Sequence, residues 1–168
     1  MVLLVALWTA AAPPAQLPDS AKAARVERVI DAASDSIGRL RSAAYAFRLD
    51  LQGVSPSLVL ERAQRVQDGC TGAAAGVALL QRVLSVATLT PRAGAEQARL
   101  RTAGANLHRT LVQCRREWKP SPPSATLADS LRAWGPYRTQ QLEVALRPYE
   151  EALRVFQLKA GLKKPAVR

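Results

Sequence analysis

Gly69-Cys70-Thr71-Gly72-Ala73-Ala74-Ala75-Gly76 and Leu111-Val112-Gln113-Cys114 flank the turn Thr90-Pro91-Arg92-Ala93-Gly94, and their relation to that turn decides the fold. Each cysteine stands twenty-two residues from Arg92. If the segments on either side are antiparallel helices, the two thiols come to the same height and face each other. The spacing therefore predicts a Cys70–Cys114 disulfide between a second and a third helix. Glycine in a helix interior costs about 1 kcal/mol relative to alanine, so a run as rich in glycine as 69–76 needs a reason. Close approach supplies one, because a disulfide wants Cα atoms ~4.4–6.8 Å apart, whereas helix axes usually lie ~8–10 Å apart.

Working outward from the cysteines, four long segments carry apolar residues at alternating gaps of four and three, the spacing of one helical stripe. The first reads Val26, Ile30, Ala33, Ile37, Leu40, Ala44, Phe47, Leu51. The second reads Val59, Ala63, Val66, Cys70, Ala73, Val77, Leu80, Leu84, Ala87, and the third reads Leu100, Gly104, Leu107, Leu111, Cys114, Trp118. The fourth begins Leu127, Leu131, Trp134, meets Gly135-Pro136, and resumes as Leu142, Leu146, Tyr149, Leu153, Phe156. Prolines remove donors from a helix ladder, so Lys119-Pro120-Ser121-Pro122-Pro123-Ser124 is a connector, and Pro136 and Pro148 predict kinks. The expected helices cover about 19–51, 57–89, 93–118 and 125–160, with Thr90 as a candidate N-cap of the third. Antiparallel neighbours pair residues whose numbers have a constant sum. The pairs Val26–Leu84 to Leu51–Val59, and Val66–Trp118 to Leu84–Leu100, meet that condition. Between the third and fourth segments the pairs Trp118–Leu127, Cys114–Leu131 and Leu111–Trp134 do so, and beyond Gly135-Pro136 a slip of one residue gives Gly104–Leu142 and Leu100–Leu146. The expectation is an all-α fold, an up-down-up-down antiparallel four-helix bundle with a kinked fourth helix. One of its layers would be Leu40, Cys70, Cys114 and Leu131.

A chain of 168 residues suits one domain. Its start, Val2-Leu3-Leu4-Val5-Ala6-Leu7-Trp8 followed by small residues and Pro13-Pro14, has the layout of a secretory signal peptide without the usual leading Lys or Arg. The run is too short for a bilayer, which needs ~20 apolar residues. The expected division is a signal peptide over 1–11, a Pro-rich linker over 12–18, the bundle over 19–161 and a basic tail over 162–168. Export to the periplasm or outside the cell agrees with paired cysteines, which persist in oxidising compartments.

Catalytic and cofactor chemistry find no support in the residues. A c-type haem needs C-x-x-C-H, which is absent, and the axial ligands of a b-type haem must be drawn from a single His108 and a Met found only at position 1. Paired E-x-x-H motifs for a di-iron centre are missing, and zinc lacks the Cys and His it requires. His108 is the sole conventional base. The acids fall four residues from arginines (Asp35–Arg39, Glu61–Arg65, Glu143–Arg147, Glu150–Arg154), the pattern of solvated helix faces. The sequence is thus read as that of a non-enzymatic protein with no cofactor, no metal and no catalytic residue.

Charge is the remaining signal. The net charge is +11, and residues 92–119 contain seven basic and two acidic side chains. The candidate polyanion-binding residues are Arg92, Arg99, Arg101, Arg109, Arg115, Arg116 and Lys119, with Lys159, Lys163 and Lys164 as an appendage. Such a surface attracts anionic envelope polymers or lipid outside the cytosol, and nucleic acid inside it. The expected role is binding or structural support in the cell envelope. One alternative is a small-ligand or haem carrier with a cavity near Ala33, Gly76 and Gly104. The other is a cytosolic polyanion or nucleic-acid binder, which requires free thiols.

Overall fold

The computed structural model describes residues 20–49, 51–87, 89–119 and 122–162, so the expected signal peptide, the linker, and Lys163 and Lys164 of the tail lie outside the described residues. Those residues form α1 (Ser20–Arg48), α2 (Pro56–Val86), a single 3-10 turn (Pro91–Ala93), α3 (Gly94–Glu117) and α4 (Ala125–Ala160), with no strand among them. Helix starts follow local chemistry. The Ser55 hydroxyl accepts from the Leu58 N–H at 3.4 Å with Pro56 at the first helical position, and the Ser124 hydroxyl accepts from the Leu127 N–H at 3.1 Å. α4 ends on Gly161 at φ 67°, a left-handed cap that glycine takes without strain. Thr90 does not cap α3. Its hydroxyl is buried without a partner, and the 3-10 turn feeds α3 instead.

The cysteines meet as expected. Cys70 and Cys114 form a disulfide with a Cα separation of 6.1 Å, joining α2 to α3. Glutamines reinforce the same seam by donating to exposed backbone carbonyls: Gln81 to Arg101 at 2.7 Å, and Gln97 to Leu84 and Ala87 at 2.6 and 2.8 Å. Position numbers rise along one helix as they fall along its partner, as antiparallel neighbours require. The glycines serve a different interface from the one expected. A Cβ on Gly69 would stand 2.9 Å from Leu40 Cα, and one on Gly76 would stand 3.1 Å from Ala33 Cα. Gly69 and Gly76 therefore bring α2 against α1, while Gly72 has open space above it.

The apolar stripes of α1, α2 and α3 are buried where the periodicity places them, apart from half-buried Leu51 and Ala87 at the ends. α4 differs. It runs unbroken through Pro136 and Pro148, and its buried stripe begins Ala128, Leu131, Gly135, Thr139, Leu142 rather than Leu127, Leu131, Trp134. Gly135 is thus a core position and no residue is inserted. Its Cα faces the rings of Phe47 and Trp118, which meet edge to face at 4.7 Å, with Trp134 edge-on to Trp118 at 5.1 Å. The expected pairing of α3 with α4 is overturned by the same contacts. Trp118 packs at Gly135, Gly104 lies under Tyr149, and Glu117 reaches Arg138, about two turns from the anticipated register. Leu131 is accordingly not in the cysteine layer; Cys114 shares a surface cleft with Leu142. Because Trp118 at the end of α3 meets Gly135, the first turns of α4 lie beyond the end of α3. They pack beside the α1–α2 loop, where Arg132 donates to the Val54 carbonyl.

Candidate polyanion-binding surface

Among the described residues, five arginines are paired with acids. Arg41 on α1 crosses to α4, donating to Glu150 at 2.8 Å and to Glu143 at 3.2 Å. Burial alone would lower its pKa, but the hydrogen bonds and charges of those two acids outweigh it and hold the guanidinium above its ordinary value. Arg65 pairs with Glu61, Arg132 with Asp129, Arg138 with Glu117 and Arg154 with Glu151. Of the four pairs expected at four-residue spacing, only Glu61–Arg65 forms. Glu143 and Glu150 are drawn to Arg41, Arg39 donates to the Ser36 hydroxyl, and Arg154 takes Glu151 one turn back. Sequence spacing finds neighbours on one helix and is blind to a cation arriving from another.

The cations of α3 and its flanks are not so paired. Arg92, Arg99, Arg101, Arg115, Arg116 and Lys119 are exposed, and their side chains have no acidic partner among the described residues, a condition shared by Arg25, Arg28, Arg39, Arg82 and Arg147 on the other helices. Arg109 is exposed too and holds only the amide oxygen of Asn106, at 2.6 Å. Lys159, in the last turn of α4, is exposed without an acid beside it. These cations do not converge on one spot. Arg109 and Arg116, seven residues apart, line one shallow depression with His108, Val112, Gln113 and Glu117, the last engaged by Arg138. Arg115 and Lys119 flank Arg116 at the carboxyl end of α3, where the helix dipole favours positive charge by ~0.3–1 kcal/mol each. Arg92 and Arg99 lie at the other end, beside the last turn of α4 with Lys159. The 24 residues of α3 span roughly 36 Å. At ~3.6 residues per turn the cations are also spread around the helix: Arg109 and Arg116 share the outward side, whereas Arg99 and Arg101 stand on opposite flanks, so they form a broad basic surface rather than a pocket.

Other concave features offer less. A groove of about 970 Å³ opens between the α1–α2 loop and the start of α4, but Arg132 within it is already engaged by Asp129 and Val54. No group of three His, Cys, Asp or Glu side chains able to hold a metal occurs among the described residues. His108 is half-buried on α3 and makes no hydrogen bond. The low-volume positions named for a ligand cavity are filled: the Tyr149 ring covers Gly104, and the α1 backbone at Ala33 closes on Gly76. Tyr149 was not foreseen as notable. Its hydroxyl is buried without a partner, and burial first, then the charge of Glu150, push its pKa well above the ordinary value. Comparison with protein-family models, curated proteins and solved structures finds no match, so function is argued from the side chains themselves.

Proposed function

We propose that this chain is an exported, disulfide-stapled helical bundle with a non-enzymatic binding role in the cell envelope. In this reading it presents the exposed arginines of α3 to anionic polymers. The supporting observation is the density of cations: residues 92–119 hold seven basic side chains against two acidic ones, and Arg92, Arg99, Arg101, Arg115 and Arg116 among them face solvent with no acidic partner among the described residues. One of the two acids, Glu117, is engaged by Arg138 of α4. The disulfide is compatible with an oxidising compartment, which favours the envelope over the cytosol.

The test is binding of a heparin-type sulfated polymer as a function of salt. Release of condensed counterions makes affinity fall steeply and linearly on a log–log scale, with a slope that counts the cations engaged. Replacing Arg99, Arg101, Arg115 and Arg116 with Gln should flatten that slope by several units and weaken binding. Equal affinity and slope for this variant would remove the basis of the reading.

A further inference from the structure

We propose that the end of the bundle carrying the α2–α3 turn docks onto an anionic lipid surface, with Val86 and Leu158 entering the headgroup layer and Arg25, Arg92, Arg99 and Lys159 over the phosphates. Several independent contacts assemble this end. Gln97 ties the start of α3 to the last turn of α2, and the 3-10 turn Pro91–Ala93 packs against α4. The opposed course of α1 and α2 brings the beginning of α1 here as well. Val86 and Leu158 are the most exposed large hydrophobic side chains among the described residues, at 84% and 67%. Singly exposed apolar residues need no explanation. Two of this degree at one end, in company with cations that have no acid partner, form the pattern by which a protein sits in a bilayer interface.

Electrostatics within the fold argues the same way. Arg92 and Arg99 precede or open the amino-terminal half of α3, where the helix dipole disfavours positive charge, so their presence is not explained by helix stability. The acids at this end are recessed or occupied: Glu27 and Glu96 are half-buried and Glu151 is held by Arg154. In sequence, Leu162 is followed by Lys163, Lys164 and Arg168. The inference rests on the reading that the unpaired cations serve anion binding, and it adds which end acts and on what.

The experiment is co-sedimentation of the full chain with phosphatidylcholine vesicles, with and without phosphatidylglycerol. Each cation near an anionic surface contributes about fivefold in partitioning, equivalent to ~1 kcal/mol. The variant Arg92→Gln/Arg99→Gln/Lys159→Gln should therefore lose on the order of a hundredfold. Arg115→Gln/Arg116→Gln/Lys119→Gln removes the same charge from the opposite end and should lose less than about fivefold. Val86→Ser/Leu158→Ser, which alters exposed side chains only, should also weaken vesicle binding while leaving sulfated-polymer binding unchanged. Equal binding to neutral and anionic vesicles, or equal losses for the two triple variants, would overturn the proposal. Polymer binding with no vesicle binding would overturn it and leave the broader reading standing; loss of both would remove that reading too.

Discussion

Reduction of Cys70–Cys114 is the perturbation whose size follows most directly from the structure. The bridge closes a sequence separation of 44 residues. In the chain-entropy treatment, forbidding that loop to the unfolded chain is worth about 4 kcal/mol. The folded side of the comparison changes little, because both sulfurs are buried and reduction leaves two thiols in the same layer. With a urea dependence of about 2 kcal/mol per molar, the unfolding midpoint should fall by about 2 M when a phosphine reductant is present. Against a typical total of ~5–15 kcal/mol, the reduced bundle remains folded but with a thin margin. The assay is helical circular dichroism across a urea titration, with and without reductant, alongside Cys70→Ala/Cys114→Ala as a reductant-independent check. Coincident midpoints for oxidised and reduced protein would refute the reasoning. So would two reactive thiols in denatured, unreduced protein.

Substituting two glycines of similar helical context should have opposite effects. Gly135→Ala would place a methyl 2.7 Å from Phe47 Cζ and closer still to Cε1, so the ~1 kcal/mol of helix propensity is outweighed by ~1–3 kcal/mol of overpacking; Gly72→Ala meets nothing within 4 Å and should gain about 1 kcal/mol, both read from urea midpoints. Tyr149→Phe at neutral pH should leave stability unchanged or raise it by about 1 kcal/mol, since the lost hydroxyl has no partner. The same residue sets an alkaline limit. Its folded pKa lies above the ordinary 10.0, so stability is full below about pH 10 and then falls by about 1.4 kcal/mol per pH unit as the unfolded phenol ionises, a decline absent from Tyr149→Phe. Arg41→Gln unpairs Glu143 and Glu150 across the α1–α4 interface and should cost about 1 kcal/mol, diminishing with added salt because the group is half exposed.

What was legible in the sequence was whatever a single helix determines by itself. The stripes on α1, α2 and α3 follow from periodicity, and the Cys70–Cys114 bridge follows from equal distances to a tight turn. What failed depended on how one helix meets another across a connector that is not tight. Gly135-Pro136 reads as a break because glycine and proline weaken helices, yet here glycine is the only residue that fits beneath Phe47 and Trp118. Proline is tolerated in the same helix, which is held along its buried stripe. Taking Trp134 rather than Gly135 as the seam residue shifted the stripe by one residue, whereas the two-turn error in pairing α3 with α4 came from treating their connection as a tight turn. The unpaired cations were visible as an excess of arginine on α3. That they are unpaired was not visible, because pairing is settled between helices: Glu117 of α3 is taken by Arg138 of α4, and Arg41 of α1 takes Glu143 and Glu150.

The position of the bridge bears on the surface it supports. α3 has few acids to offset its arginines, so ion pairs along its own surface do little to hold it. Such a helix depends on its packed face and on whatever ties it to the bundle. The disulfide joins it covalently to α2 near the crowded carboxyl end, and Gln81 and Gln97 bind its amino-terminal half to the same partner. A helix held by bonds indifferent to salt can keep its guanidiniums unpaired, whereas one held by ion pairs would have to spend them on its neighbours. The staple and the exposed cations are, on this argument, two parts of one arrangement: covalent and amide contacts fix α3, and its charges are thereby left free to act on something else.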